Sequence, residues 1–211
     1  MTNFKDAAFW DRISQKYASD PIKDLAGYNR SVERSASFLD SHKSVLELGC
    51  GTGSTALRLA PKAGSYVATD ISAGMIDIAN QKLAETNHPE LSFRQATAES
   101  LAKEGVVYDV VFAFNYLHLV RNLPETLRHI LSLTGPGGYF ISKTACLREM
   151  NPLIALAIGP MRLLGKAPFV NVFSASELEA EISGAGFEVL ARESHATIGK
   201  DTRPFFVARR L

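Results

Sequence analysis

The stretch Val45-Leu-Glu-Leu-Gly-Cys-Gly-Thr-Gly-Ser54 decides the fold of this 211-residue chain. It predicts a short buried strand that runs into three alternating glycines and then into a helix from Ser54 to Ala60. Glycine lets the backbone approach a ligand closely because no Cβ stands in the way. Asp70 ends the next strand-like run, which starts at Tyr66. A strand followed by such a loop, with a carboxylate at the end of the next strand, is typical of an α/β sheet that holds a nucleoside.

The composition is that of an ordinary globular protein. Hydrophobic residues make up 46% of the chain and charged residues 21%, and the formal net charge of +1 provides no field for capturing nucleic acid or an anionic membrane. The two cysteines, Cys50 and Cys146, form no C-x-x-C pair, so they predict neither a zinc site nor a disulfide framework. Reduced cysteines and the lack of an apolar signal core in residues 1–11 lead us to expect a cytoplasmic protein.

Strands and helices alternate along most of the chain. The hydrophobic pattern predicts strands over 44–48, 65–69, 91–96, 108–114, 139–143, 187–193 and 204–209. Helices are predicted over 4–17, 22–39, 54–60, 75–84, 123–133 and about 175–185. This alternation indicates an α/β fold with a doubly wound parallel sheet. Residues 194–203 leave no room for a crossover helix, so we expect the last strand to pair antiparallel.

The spacing of the glycines separates two kinds of cofactor. A dinucleotide fold requires G-x-G-x-x-G, but the third glycine position of that pattern is Ser54, and the chain instead has G-x-G-x-G ending at Gly53. Glu47 also lies two residues before the loop, where a carboxylate would repel a pyrophosphate. The spacing therefore argues against an NAD(P)-dependent oxidoreductase, which stays as the alternative enzyme class.

The segment Glu47-Leu-Gly-Cys-Gly-Thr-Gly53 resembles the first motif of the class I S-adenosylmethionine-dependent methyltransferases. Further motifs of that family follow in order over nearly the whole chain: Thr69–Ser72 with Met75, Phe93–Leu101, Tyr108–His118, Gly135–Ile141 and Gly184–Phe187. The chain is similar to the small-molecule type of this family (methyltransferase domains 11 and 25) and, weakly, to quinone and sterol methyltransferases through Phe9–Tyr17. The resemblance implies a seven-stranded Rossmann-like sheet of order 3-2-1-4-5-7-6 whose last strand is antiparallel.

The resemblance also implies a set of residues that bind the cofactor S-adenosylmethionine and its product S-adenosylhomocysteine. They are Tyr17, Glu47, Gly49, Cys50, Gly51, Gly53, Asp70, Ile71, Met75, Thr97, Ala98 and Asn115. The glycine loop would line the methionine moiety, with Glu47 near its ammonium group. Asp70 would accept hydrogen bonds from both ribose hydroxyls, and Ile71 and Met75 would enclose the adenine. Met75 is equally consistent with a plain core residue.

Four of these positions carry more specific expectations. The backbone N–H of Ala98 is a candidate donor to an adenine ring nitrogen. Thr97 stands where many relatives carry an aspartate, so we expect a contact to the adenine amino group that is weaker by about 1 kcal/mol. Asn115 would lie near the transferred methyl group, or else be only a turn residue. Tyr17 would reach the cofactor carboxylate, or else belong to the apolar face of its helix.

The candidate catalytic residue is His118, at the carboxyl end of strand four, where ligands bind in such folds. Its ordinary pKa range suits a general base; the alternative is a residue that caps the loop or contacts the substrate without moving a proton. Lys143, at the end of strand five, is a weaker candidate. No metal-ligand pattern is seen, since the carboxylate near strand four, Asp109, lies at its other end. The run from Asn115 to His118 also lacks the prolines of the familiar DNA amino-methyltransferases.

The acceptor is expected to be apolar. The stretch from Leu153 to Leu164 is strongly apolar and follows strand five, where a substrate lid is common in this fold. The alternative is an extra helix packed on the core. The stretch is too short to span a bilayer, which needs about 20 apolar residues. As a lid, with Phe4, Phe9 and Trp10 opposite, it would favour an aromatic, quinone-like or lipid-like acceptor.

The sequence thus predicts one methyltransferase domain over residues 1–211, with a helical cap over 1–40 and a lid insertion over 144–173. The expected reaction is methyl transfer from S-adenosylmethionine to O, N or C of an apolar or aromatic small molecule. A protein that binds the cofactor without turnover is a further alternative. We expect no nucleic-acid partner, no transmembrane segment and no metal, and a homodimer stays open.

Overall fold

The computed structural model describes residues 4–150, 160–162 and 165–211, with the backbone alone for residues 4 and 5. In this part of the chain seven strands form one sheet of order β3-β2-β1-β4-β5-β7-β6. The strands are β1 (Ser44–Leu48), β2 (Ser65–Asp70), β3 (Leu91–Gln95), β4 (Tyr108–Phe114), β5 (Thr134–Lys143), β6 (Phe187–Glu193) and β7 (Phe205–Arg210). Strand β7 runs antiparallel to both of its neighbours. The predicted fold class, strand order and antiparallel last strand are confirmed.

Helices connect the strands and precede the first of them. They are α1 (Phe4–Ser19), α2 (Leu25–Ala36), α3 (Ser54–Leu59), α4 (Ala73–Ala84), α5 (Ala98–Ala102), α6 (Leu123–Leu133) and α7 (Ala175–Gly184). The helix predicted over 54–60 ends at Leu59 because Pro61 lies in a 3-10 turn over Ala60–Lys62. Ser72 caps α4 as an N-cap, with its hydroxyl accepting from the Met75 N–H at 3.1 Å.

Helix α2 is shorter than the predicted 22–39, and two further local features differ from the sequence prediction. Helix α5 was not predicted because five residues show too little periodicity; its N-cap is Thr97, whose hydroxyl accepts from the Ser100 N–H at 3.1 Å. Strand β5 begins at Thr134 and not at Tyr139, because Thr134 already pairs with Tyr108 before a register irregularity. The difference in β5 lies at an element end, which local pattern defines least well.

The core forms two layers, one on each face of the sheet. Leu46 and Leu48 of β1 belong to the layer that includes residues of α5, α6 and α7. Val45 belongs to the opposite layer, with residues of α2, α3 and α4. Both faces of the parallel strands are therefore covered, which explains their nearly continuous apolar sequence. Glu47 faces the second layer, where it meets Tyr66.

Two sequence predictions concern membranes and a lid. No helix in the described part of the chain combines the length and the apolarity needed to cross a membrane. The predicted lid stretch from Leu153 to Leu164 lies outside the described residues except for 160–162. The side chain of Phe4, predicted to face that lid, is also outside them. The lid therefore stays a prediction.

Candidate cofactor and acceptor site

A cavity of about 490 Å³ opens at the carboxyl ends of β1, β2 and β4. Carboxyl ends of strands in open α/β sheets are where ligands bind. Most of the site residues predicted from the sequence line this one cavity. They are Tyr17, Gly49, Gly51, Asp70, Ile71, Met75, Thr97, Ala98, Asn115 and His118.

The glycine loop approaches the cavity with its backbone. Gly49 and Gly51 have φ values of +70° and +54°, in the left-handed region that glycine adopts without strain. A Cβ on Gly49 would lie 2.6 Å from a ring carbon of Tyr116, so this position excludes any side chain. A Cβ on Gly51 would lie 3.7 Å from the Tyr17 ring, so that ring covers the loop.

Asp70 is held in place by two backbone donors. Its Oδ2 accepts from the Gly51 N–H at 3.0 Å, and its Oδ1 accepts from the Ser72 N–H at 2.9 Å. Burial raises the pKa of Asp70, against these N–H groups, which lower it. Each carboxylate oxygen can accept one more hydrogen bond. The side chain therefore presents two oriented acceptors to the cavity.

Three predicted cofactor residues, in the glycine loop or just before it, do not line the cavity. Glu47 is 2% exposed and accepts from the Tyr66 hydroxyl at 2.7 Å. Burial raises the pKa of Glu47 to about 7, against the Tyr66 hydrogen bond. Cys50 is a buried free thiol, and burial raises its pKa well above the usual value. Gly53 is the N-cap of α3, where a Cβ would lie 2.6 Å from the Phe93 ring.

The start of α5 and helix α4 form a further wall of the cavity. Thr97 lines the cavity, but its hydroxyl already caps α5. Ala98 follows as the first residue of α5, so its N–H has no partner within the helix. That N–H lies against the Tyr116 phenol. Burial raises the pKa of Tyr116 more strongly than this N–H lowers it. Met75 is 2% exposed, so it is at once a core residue and part of the cavity wall.

The other end of the cavity holds the residues after β4. Asn115 has φ +51°, a left-handed conformation that asparagine tolerates better than most residues. The His118 ring nitrogen Nδ1 lies 2.7 Å from the Thr144 hydroxyl oxygen. Burial, followed by the charge of Arg203, lowers the pKa of His118 to about 4. His118 is therefore neutral at pH 7.

Lys143, the weaker candidate base, does not line the cavity. Its Nζ donates to the Ser31 hydroxyl at 2.8 Å, and burial lowers its pKa. Asp109 lies at the start of β4 and accepts from the Ser44 N–H and hydroxyl, each at 2.8 Å. Among the described residues no cluster of His, Cys, Asp and Glu could hold a metal ion.

Helix α1 closes one side of the cavity through contacts that the sequence did not reveal. Asp6 forms a two-bond ion pair with Arg121, at 2.8 and 2.9 Å. Asp11 accepts from the Ser72 hydroxyl at 2.6 Å and from the Gly74 N–H at 3.0 Å. These contacts join α1 to residues about 60 and 115 positions away, so no local pattern signals them. They place Trp10 and Tyr17 in the cavity wall.

Comparison with known proteins identifies the family. A family model described as a methyltransferase domain matches residues 11–192. This chain is a member of that methyltransferase family. The ubiquinone biosynthesis O-methyltransferase of Azorhizobium caulinodans is 33% identical over 200 residues, which are 87% of this methyltransferase and 77% of that relative. The predicted family is confirmed, and the oxidoreductase alternative is set aside.

Other relatives are much longer, or share the fold alone. A hybrid PKS-NRPS synthetase of Emericella nidulans is 32% identical over 135 residues, which are 56% of this methyltransferase but 3% of the synthetase. The magnesium protoporphyrin IX methyltransferase of Synechocystis PCC 6803, solved with bound SAH, has a TM-score of 0.71 at 18% identity and covers 99% of this chain and 97% of its own. S-adenosylmethionine is the methyl donor of this family.

The described residues of the methyltransferase fit this cofactor. Asp70 offers two oriented acceptors, which suit a ribose diol. The backbone at Gly49 and Gly51 carries no side chain, so a ligand can approach it closely. The buried acid Glu47 behind the loop disfavours phosphate groups. S-adenosylmethionine has a ribose and no phosphate, so the predicted cofactor agrees with the residues that line the site.

Proposed function

We propose that this methyltransferase transfers the methyl group of S-adenosylmethionine to O, N or C of an aromatic small molecule. The observation that carries the proposal is one cavity that joins Asp70 and the glycine loop to a wall of rings. These rings belong to Trp10, Tyr17, Phe114 and Phe169. The cavity volume of about 490 Å³ lies within the usual range of small-molecule sites. The name of the ubiquinone biosynthesis relative also supports a quinone-like acceptor.

We assign the donor half of the reaction to the cofactor end, defined as Gly49, Gly51, Asp70, Met75 and Ala98. In this assignment Asp70 accepts from both ribose hydroxyls in charge-assisted hydrogen bonds. The Gly49 and Gly51 backbone lies along the methionine moiety. Met75 packs on the adenine from one side, and the Ala98 N–H donates to a ring nitrogen of the base.

The other predicted residues take supporting roles in this proposal. Tyr17 lies over the loop near the cofactor carboxylate, and Asn115 borders the methyl group. Ile71 packs on the adenine beside Thr97, while Glu47, Cys50 and Gly53 shape the loop from behind. Bound S-adenosylmethionine supplies an electrophilic methyl group on a sulfonium. The protein accelerates the transfer chiefly by aligning the acceptor with that group and by excluding water.

The domain organisation completes the proposal. Helices α1 and α2 form the cap over residues 1–40, and α1 is tied to α4 and to the start of α6 by Asp11 and Asp6. Arg12 also donates to the carbonyl of Gly165 at 2.6 Å, so the cap reaches the segment that follows the undescribed residues. We propose that residues 144–173 act as the substrate lid against this cap.

The proposal is tested by calorimetry and by product detection. Purified protein is titrated with S-adenosylmethionine and S-adenosylhomocysteine, and we expect micromolar affinity. Labelled S-adenosylmethionine is then supplied with a cell extract, and methylated aromatic products are sought by mass spectrometry. Well-folded protein that binds neither ligand contradicts the proposal. Tight binding without any methylated product supports the alternative of a cofactor-binding protein without turnover.

A further inference from the structure

The acceptor end of the cavity, defined as Tyr17, Phe114, Asn115, His118 and Arg203, carries a positive charge and no negative one. We propose that this end binds its acceptor as an anion, held by the Arg203 guanidinium and by the His118 ring N–H, so that none of the described residues at this end removes a proton during methyl transfer. The inference rests on the proposed function, because it concerns the acceptor of the same reaction.

The hydrogen bonds of Thr144 determine which His118 nitrogen carries the proton. The Thr144 hydroxyl oxygen accepts from the His118 backbone N–H at 3.3 Å. Thr144 is fully buried, and among the described residues the acceptor in contact with its hydroxyl proton is His118 Nδ1, at 2.7 Å. A buried hydroxyl proton without an acceptor would lose its hydrogen bond to water without replacement, which is strongly unfavourable. Thr144 therefore donates to Nδ1, and the proton of the neutral ring is on Nε2.

This tautomer makes His118 a hydrogen-bond donor to the acceptor. Its Nε2 has no protein partner among the described residues, and the residue lines the cavity. A protonated Nε2 donates a hydrogen bond but takes no proton. The neighbouring charge that acts on His118 is that of Arg203, and it is positive. In the part of the chain that the structure describes, no carboxylate stands behind the ring in the manner of a catalytic His–Asp pair.

The carboxylates of the cavity wall are engaged and the Tyr17 phenol is protonated, while the second histidine of the wall, His129 of α6, lies outside the acceptor end. Four carboxylates line the cavity: Asp6, Asp70, Glu99 and Glu125. They are held in turn by Arg121, by two backbone N–H groups, by Lys103 and by Asn122. Burial, and then the charge of Asp70, raise the pKa of Tyr17, so its phenol keeps its proton. The acceptor end thus offers no base.

Arg203 is the cation of the acceptor end and forms no side-chain hydrogen bond or ion pair among the described residues. Its backbone N–H donates to Asp201 Oδ1 at 2.9 Å, which fixes the loop that carries it. Asp201 is occupied by its own loop, since its Oδ2 accepts from the His195 N–H at 2.8 Å and the Ala196 N–H at 3.0 Å. Burial lowers the pKa of Lys143, against the charges of Asp201 and Asp24, which both raise it. Asp24 is also occupied, since it accepts from the Thr197 N–H at 2.8 Å.

The chemistry of transfer agrees with an anionic acceptor. The acceptor has given its proton to solvent before it binds. Its electron pair forms the new bond to the methyl carbon, the carbon–sulfur bond breaks, and that bonding pair stays on the sulfur. The negative charge of the acceptor and the positive charge of the sulfonium cancel, and no proton is released in the cavity. An acidic phenol or the enol of a 1,3-dicarbonyl compound can lose its proton to solvent before it binds. A neutral amine or an aliphatic alcohol does not meet this requirement.

The test uses 4-nitrophenol as the probe, because its phenolate absorbs strongly in the visible. The probe is titrated with pH in the presence of protein saturated with S-adenosylhomocysteine. We expect the pKa of bound 4-nitrophenol to fall by about 1 unit, as an adjacent opposite charge causes. The Arg203→Gln variant removes this shift. Arg209→Gln is the matched control, because Arg209 pairs with Glu188 on the surface, outside the cavity, and this variant keeps the shift.

The same samples separate this inference from the proposed function. Protein that fails to bind S-adenosylhomocysteine overturns the proposed function. Protein that binds it, yet leaves 4-nitrophenol unbound or equally ionised with and without Arg203, overturns only the anion proposal. An Arg203→Gln variant whose S-adenosylhomocysteine affinity falls tenfold while the 4-nitrophenol pKa stays shifted also overturns it, because Arg203 then holds the cofactor carboxylate.

Discussion

The cofactor end and the acceptor end of the cavity are built in different ways. All five cofactor-end residues lie within Gly49–Ala98, at or after the carboxyl ends of β1, β2 and β3, and backbone N–H groups already hold Asp70. The acceptor end combines Tyr17 of α1, residues after β4, and Arg203 of the β6–β7 connection. Backbone geometry preorganises the first end, whereas long-range packing assembles the second. The comparison implies that substitutions at the first end act on cofactor binding and that those of His118 and Arg203 at the second act on the acceptor.

The largest expected effect is the loss of Asp70 from the cofactor end. Asp70→Ala removes two charge-assisted acceptors, so we expect S-adenosylhomocysteine affinity to fall by about 100-fold, or about 3 kcal/mol. Isothermal titration calorimetry measures this loss. Asp77→Ala, an exposed aspartate on α4, is the control and keeps the affinity. Equal affinities of the two variants would show that the cofactor end is not organised around Asp70.

The buried acid behind the cofactor end should appear in the pH dependence of stability. The pKa of Glu47 is raised from 4.5 to about 7 in the folded protein. The folded state therefore holds a proton that the unfolded state has lost, so this contribution is fully present below pH 4.5 and disappears as the pH rises to about 7. From the shift we expect a loss of up to about 3 kcal/mol in the free energy of unfolding.

Chemical denaturation of the wild type and Glu47→Gln between pH 4.5 and 7.5 checks this expectation. The difference between the two proteins isolates Glu47, because the other carboxylates are common to both. Their unfolding free energies should diverge across this window and then run parallel. A constant difference at every pH would contradict a raised pKa at Glu47.

A glycine pair separates backbone strain from close packing in the loop. Gly49 and Gly137 have nearly equal φ values, +70° and +72°, but a Cβ at Gly49 meets the Tyr116 ring while one at Gly137 meets nothing within 4 Å. Alanine at either position is strained by about 1–2 kcal/mol. Gly49→Ala should also weaken S-adenosylhomocysteine binding about tenfold, and Gly137→Ala should not. Thermal melts measure the loss of stability, and calorimetry measures the loss of affinity. Equal losses of affinity in both variants would show that the Tyr116 contact has no role in binding.

The smallest expected effects lie at the acceptor end. Gln at position 118 keeps an N–H donor but cannot act as a base, so His118→Gln should retain most of the methyl-transfer rate. His118→Leu and Thr144→Val, which remove the donor or its orienting hydroxyl, should lower kcat about tenfold with little change in cofactor affinity. Steady-state kinetics measure this order. A rate that collapses in His118→Gln as it does in His118→Leu would make His118 a general base.

Prediction from the sequence succeeded where residues close in the chain are also close in space. The glycine loop, Asp70 and the Ser72 cap follow from the spacing in residues 45–75, and the structure brings Gly49, Gly51 and Asp70 into one cavity wall. Gly53 was predicted with them, but it faces Phe93 and does not line the cavity, because it is already the N-cap of α3. Spacing identified the loop without showing the direction of each residue.

Prediction failed to reveal the contacts that depend on distant segments. Arg203 lies in a connection that the sequence marks only as a loop, and it reaches the cavity because β7 inserts next to β5. Thr144 follows β5 and lies beside His118 because β4 and β5 are neighbours in the sheet. Tyr116 gives no periodic signal, yet its ring packs against Gly49.

The sequence by itself determined the fold class, the family and the cofactor, because alternating strands and helices and the G-x-G-x-G loop with Asp70 are encoded locally. Only the tertiary structure decided what His118 can do. Its ordinary pKa suggested a base, but burial, the charge of Arg203 and the hydroxyl of Thr144 make it a neutral donor. Protonation state depends on desolvation and on neighbouring charges, and those exist only once segments far apart in the chain have packed together.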